Sequence, residues 1–334
     1  MKELFPARDD ADLLTIRDWL RRATSVFTHE CLAFGQGATN AADEALWLIA
    51  HTLSLPRDGA GGIGEFLDAR LTADEKFALR EILCRRAEDR EPAAYITGEA
   101  WLGDYSFRAD ERVIIPRSYF LEIIPDAINP WLENPDSVRA VADVCTGSGC
   151  LAILLAEAYP NATVDAFDIS QNALDVAAEN VSDYELENRI ALWRADVFQS
   201  PERAGGGGGA GGAGSGAGAS AGGDHLRPQS TYDIIVSNPP YEPESVLKTL
   251  PPEFRQEPAA ALVSGADGMD VIRRLLPQAA KRLAPNGVLV VEIGGLHDTL
   301  EAAYPNLEIN WLTTADATDC VALFRAHALR ELFC

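Results

Sequence analysis

The chain reads as an α/β protein: a parallel sheet with its ligand site at the carboxyl ends of the strands, preceded by a small helical module. Three observations predict this. Val138 to Val144 is a β-prone run that ends in Thr146-Gly-Ser-Gly149 and passes directly into an apolar helix, Cys150 to Ala158. Thr163 to Phe167 is a second strand, with Asp168 at its end and Ser170 placed to cap a helix running to about Asn180. A further β-branched run, Ile234 to Val236, stops at Asn238-Pro-Pro-Tyr241, where the paired prolines cannot donate ladder hydrogen bonds.

Taken in order, the front of the chain is helical. Leu13, Ile16, Leu20, Ala23 and Phe27 recur at helical spacing, Leu46, Ile49 and Leu53 do the same, and Thr72 with Glu75 forms a capping box that opens a third helix to about Ala87. This module, residues 1–91, shows no chemistry of its own. From Ala93 to Ile115 short β-prone runs, Ala94 to Thr97, Tyr105 to Phe107 and Val113 to Ile115, predict a β-hairpin linker within residues 92–117. Phe120 to Ile128 looks helical, and Arg117 before it is read as a structural, salt-bridging residue. Residues 118–334 hold the sheet.

After the two leading strands, Ile190 to Arg194 ends in Asp196-Val-Phe198, a carboxylate beside an apolar pair able to flank a flat ring. Ala204 to Gly223 is almost wholly Gly, Ala and Ser and cannot bury a core, so a flexible insertion without catalytic part is expected there. Met269 to Leu283 reads as a helix, Asn286-Gly287 as a turn, Val288 to Ile293 as a strand, and Leu307 to Leu312 with Cys320 to Arg325 as a closing strand pair.

Composition narrows the function. With 28 Lys+Arg against 51 Asp+Glu the formal charge is -23, so a long phosphate backbone meets net repulsion while a basic protein is attracted. The 6 cysteines form no Cys-x-x-Cys pair and have no histidine at zinc spacing, and the 5 histidines do not cluster with acids along the chain, so neither a metal nor a general-base histidine is expected. The first residues lack the apolar core of a signal peptide and no apolar run is long enough to span a bilayer. These features lead us to expect a soluble protein of the reducing cytoplasm.

Each motif has a plain alternative. Glycine turns pack many α/β proteins, an Asp after a strand is ordinary turn chemistry, and a Pro-Pro pair can simply end a strand. The chemistry they share is more pointed. Glycines let the backbone approach a carboxylate or phosphate at a helix amino terminus, Asp168 can accept both hydroxyls of a ribose, and the turn of Asn238, Pro239, Pro240 and Tyr241 offers carbonyl oxygens and a ring to a planar NH2-bearing group.

In that order the motifs resemble the class I S-adenosylmethionine-dependent methyltransferases that modify amide or amine nitrogen. Asn-Pro-Pro-Tyr is shared there by DNA adenine-N6 and protein glutamine-N5 methyltransferases. The helical front, the hairpin and Ile115-Pro-Arg resemble the glutamine-N5 group over nearly the whole chain. Pro116-Arg-Ser118, Cys145-Thr-Gly-Ser-Gly-Cys150, Leu250 to Pro258, Ser264-Gly-Ala-Asp-Gly268, Thr15 to Asp18 and Phe34-Gly-Gln-Gly37 are similar to the branch that methylates large-subunit ribosomal protein three. The glycine-rich insertion departs from the family pattern.

The resemblance implies a Rossmann-like sheet of seven strands with the last one antiparallel, and a helical module that recognises substrate. It also implies S-adenosylmethionine held by Asp143, Thr146, Gly147 and Gly149 at the methionine part, Asp168 at the ribose, and Asp196 with Val197 at the adenine. Asn238 and Pro239 would orient the glutamine amide through their oxygens, with Tyr241 packed against its plane. The implied partner is a basic ribosomal protein; release-factor glutamine methylation and adenine-N6 methylation of nucleic acid stand as the alternatives.

Overall fold

The computed structural model describes residues 4–58, 61–204, 228–315 and 319–334. The chain divides into two units, one of Met1–Glu111, Ile115–Arg117 and Leu250–Glu257, the other of Arg112–Ile114, Ser118–Thr249 and Pro258–Cys334. Apart from Ala204, the glycine-rich insertion lies outside the described residues.

The first unit contains α1 (Ile16–His29), α2 (Ala41–Thr52) and α3 (Ala73–Ala87). The expected capping box of Thr72 and Glu75 forms, and a second one, Thr15 with Asp18, opens α1. The run Ala94 to Thr97 is not a strand: Pro92 and Gly98 (φ 70°) bracket it as a short helix, α4 (Ala93–Thr97). A proline before the first helical residue and a left-handed residue after the last favour one helical turn over the β-propensity of two residues. The hairpin follows as β1 (Glu99–Leu102) and β2 (Tyr105–Arg108), antiparallel, and the expected run Val113 to Ile115 is not a strand.

The later segment Leu250–Glu257 is tied into this first unit by two acids. Glu253 accepts from Arg86 (3.4 Å), Arg90 (3.2 Å) and the Ala33 N–H (3.2 Å), and Arg86 also donates to Glu44 at 2.6 Å. Arg117 takes the salt-bridging part read for it, donating to both oxygens of Glu257 at 2.5 and 2.8 Å. Arg86 and Glu253 are each about 1% exposed in their side chains, so removing one partner strands a buried charge. Arg86→Ala is therefore expected to cost about 3–5 kcal/mol of stability, measured by denaturant unfolding; a loss below about 1 kcal/mol would show the network adds little.

The second unit begins with α5 (Phe120–Ile123), a single turn rather than the longer helix expected to Ile128. Pro125 is the cause, since the residue before a proline is pushed out of the helical region, and Ile124 is extended at ψ 127°. The sheet is then built from β3 (Ala140–Val144), α6 (Cys150–Ala158), β4 (Thr163–Asp168), α7 (Gln171–Asp183, capped by Ser170), β5 (Ile190–Asp196), β6 (Gln199–Arg203) and β7 (Tyr232–Ser237). It closes with α8 (Asp270–Arg282), β8 (Leu283–Glu292), α9 (His297–Ala303), β9 (Asn310–Leu312), β10 (Val321–Arg325) and α10 (Ala326–Phe333).

The strand order is β6-β5-β4-β3-β7-β8-β10-β9, with β3, β4, β5, β7 and β8 parallel and β10 antiparallel to β8. The class I architecture is thus present with the expected antiparallel closing strand. Among the described residues the sheet has eight strands where seven were expected, because the polar chain after Asp196 folds back as β6 along β5. Its residues are mostly exposed and include Pro201, a composition that suits a sheet edge. The expected Asn286-Gly287 turn is instead a bulge inside β8, where the register against β7 shifts and Gly287 lies against the carbonyls of Tyr232 and Asp233. The central strands are buried on both faces, which explains their unbroken apolar runs. His297 corrects the expectation of unclustered histidines: α9 and the approach to β10 bring it to Asp298 (3.0 Å), Glu301 (3.5 Å) and Asp319 (3.9 Å).

The candidate active site

The first strand of the second unit, β3, is followed by β4 and β5 on one side of it, while β7 and β8 lie on the other. The strand order reverses between β3 and β7, and open α/β sheets bind ligands outside the carboxyl ends of the strands at such a point. Val144 and Ser237, the last residues of these two strands, are register partners, and the Ser237 hydroxyl donates to the Val144 carbonyl at 2.7 Å. The glycine turn and the Asn238 turn therefore leave the sheet side by side.

On the β3 side, Cys145, Gly147 and Gly149 have φ of 63°, 56° and 81°, and Gly149 opens α6. Asp143 is fully buried in β3. Its Oδ2 accepts from the Thr146 hydroxyl at 2.5 Å, and its Oδ1 has no hydrogen-bond partner among the described residues. Burial pushes this carboxyl up to about 7. An unpartnered oxygen on a buried carboxyl fits the ammonium of an amino-acid group, and the helix amino terminus beside it fits that group's carboxylate, the part of S-adenosylmethionine assigned to this turn.

Asp168 ends β4. It accepts the Gly147 N–H at 2.9 Å through one oxygen and the Ser170 N–H at 2.9 Å through the other. Burial raises its proton affinity and these N–H donors oppose that. Two oriented oxygens, each with a lone pair left, suit a pair of ribose hydroxyls. Next to it a cavity of about 260 Å³ is lined by Ile169, Arg194, Ala195, Asp196, Gln199, Ser200 and Glu202. Asp196 borders it and also receives Arg274 at 3.2 Å. The apolar pair needs correction. The Val197 and Phe198 side chains turn into the core, Phe198 stacking on Tyr232 with 5.8 Å between ring centroids, so the exposed apolar side chain at the cavity is Ile169. Ile169 is 65% exposed, and an apolar residue directly after a strand-ending acid was the sequence signal for it.

On the β7 side, Pro239 is buried while Asn238 and Tyr241 are half-buried. Among the described residues no backbone N–H donates to the Pro239 carbonyl. Tyr241 is enclosed by backbone. A Cβ on Gly294 would come within 2.5 Å of its ring, and one on Gly268 within 2.2 Å of its carbonyl oxygen, so only glycine fits at either position. The chain beyond it is pinned by Glu242 N–H to Leu262 O and Ser264 N–H to Glu242 O, each 2.9 Å, which gives the Ser264 to Gly268 motif its place beside the turn. Glu292, buried at the end of β8, accepts from Tyr241, Ser118 and Tyr119; its place in an otherwise apolar strand hides it in the sequence.

Known proteins resemble the chain over most of its length. The methyltransferase small domain family matches residues 128–204. The chain is 46% identical over 318 residues to a ribosomal protein uL3 glutamine methyltransferase of Neisseria meningitidis, covering 95% of each chain. It is 44% identical to that of Burkholderia pseudomallei, over 94% of this chain and 95% of that one, and 35% identical to that of Francisella tularensis, over 93% and 90%.

The raised Asp143 carboxyl gives a pH test. Between the ordinary carboxylate range and about 7 the unfolded chain sheds this proton and the folded one keeps it, so the site's stability declines as pH rises through that window. A bound ammonium favours the ionised form and reverses the trend. Affinity for the demethylated cofactor should rise about tenfold from pH 5.5 to pH 7 in calorimetry, and Asp143→Asn should bind more weakly with a flat profile. A flat profile in the unaltered protein would remove Asp143 from this role.

Proposed function

The chain belongs to the family of ribosomal protein uL3 glutamine methyltransferases, and we propose that it transfers a methyl group from S-adenosylmethionine to the side-chain amide nitrogen of a glutamine in ribosomal protein uL3. The observation that carries the reading is the Asn238-Pro-Pro-Tyr241 turn at the strand-order reversal, beside a glycine turn and two acids suited to the cofactor. The bound cofactor supplies an electrophilic methyl on a sulfonium. Asp143, with the turn from Thr146 to Gly149, would hold its amino-acid end, Asp168 its ribose, and Asp196 with Ile169 the region of its base.

The chain's own task is orientation. An amide nitrogen is a poor nucleophile because its lone pair is delocalised into the carbonyl. Asn238 Oδ1 and the Pro239 carbonyl accept the two amide hydrogens, which turns the nitrogen towards the methyl and favours the positive charge that develops there. Tyr241 packs on the amide plane and fixes the approach. The charge of -23 suits a basic ribosomal protein and disfavours duplex nucleic acid, and six free cysteines suit the cytosol. The helical module of residues 1–91 is the part we assign to substrate recognition.

Intact-mass analysis of ribosomal proteins incubated with enzyme and labelled cofactor should find one added methyl on uL3, with duplex DNA neither labelled nor competing at moderate salt. Label in adenine, or in a release factor alone, would reverse the substrate assignment. Asn238→Ala should slow single-turnover methyl transfer by roughly 10²–10³-fold while cofactor affinity changes far less. Transfer at the parental rate would leave the turn with a structural role only.

A further inference from the structure

We infer that Glu292 is a positioning residue for methyl transfer: it decides which end of the Asn238 side chain faces the substrate amide. The inference rests on the orienting role proposed for Asn238.

Register brings the two together. Ser237 and Val291 are partners across β7 and β8, so Asn238, the first residue after β7, and Glu292, the last of β8, stand at the same level. Glu292 is 2% exposed. Its Oε2 accepts the Ser118 hydroxyl at 2.5 Å and the Tyr119 N–H at 3.1 Å, and its Oε1 accepts the Tyr241 hydroxyl at 3.4 Å. The register sets the Asn238 side chain beside this carboxylate, where it holds the group's proton affinity down. Burial raises the proton affinity of the group, while the Tyr119 N–H can only donate and the Ser118 and Tyr241 hydroxyls are turned to donate, which favours the ionised carboxylate.

The consequence for Asn238 is directional. A carboxylate has no hydrogen to give, so Asn238 meets it through its NH2 group, and the carbonyl end is left to point away. Turning the amide over would set Oδ1 against the carboxylate, an unfavourable pairing of acceptors. The same carboxylate ties Tyr241, whose ring is backed by Gly294, two residues beyond Glu292. One buried acid thus holds both side chains of the turn, in the orientation that offers an acceptor to a substrate NH2 and not a donor.

The test is a double-mutant cycle on the full chain with uL3 as substrate. Glu292→Gln keeps the shape, but its neutral amide tolerates either end of Asn238. We expect kcat to fall roughly ten- to a hundredfold with KM and affinity for the demethylated cofactor within about twofold, and no further loss when the change is made in an Asn238→Ala background. Parental kcat in Glu292→Gln, or an equal loss in both backgrounds, overturns the inference. Should Glu292→Gln fail to fold, Ser118→Ala withdraws one donor from the carboxylate without touching Asn238. It should lower kcat about threefold in the parent and not in Asn238→Ala, and an equal loss in both would overturn the inference. A slow Asn238→Ala with a fast Glu292→Gln removes only Glu292, whereas a fast Asn238→Ala removes the orienting reading beneath it.

Discussion

The pairing of β3 with β7 is the constraint on which the site depends. Two parallel strands taken from distant parts of the chain end at the same level, locked by the Ser237 hydroxyl on the Val144 carbonyl. A register slip of one residue would turn every side chain to the opposite face, so burial on both faces fixes the alignment firmly. Because of it, a turn suited to a cationic amino-acid cofactor and a turn suited to an amide lie next to each other. Neither would form a reaction site without its neighbour.

Around that pair, three carboxylates at neighbouring strand ends do different work because their donors differ. Asp143 has one oxygen without a hydrogen-bond partner among the described residues and is held towards its neutral form by burial, so a cation bound there would draw out the ionised form. Asp168 is oriented by backbone N–H groups from two turns and presents both oxygens. Glu292 is surrounded by side-chain and backbone donors and acts inward, on the residues that would touch substrate. Sequence alone shows three acids near strand ends. The number and kind of donors around each one separate their roles.

The chain after Tyr241 shows how local motifs are used at a distance. Glu242 and Ser264 pair close to the turn, while Glu253 and Glu257 are anchored by arginines of the first unit. Leu250 to Pro258 is recognisable as a motif, yet its physical purpose, carrying two buried carboxylates to Arg86, Arg90 and Arg117, depends on partners 140 to 167 residues away. Such pairs leave no periodic trace in the sequence.

What the sequence determined by itself is everything governed by near neighbours: the helices with their caps at Thr72 and Ser170, the glycine turn entering α6, and the stop of β7 at Pro239 and Pro240. Local rules also explain two of the corrections, since Pro125 shortens α5 and Pro92 with Gly98 makes α4 a helix. Only the tertiary structure decided what rests on strand order and burial. Val197 and Phe198 face the core and Ile169 the cavity, because β5 is covered on the side to which that pair points. Asn238 lies beside Glu292 because β8 pairs with β7, an adjacency between strands about 50 residues apart that no local pattern announces.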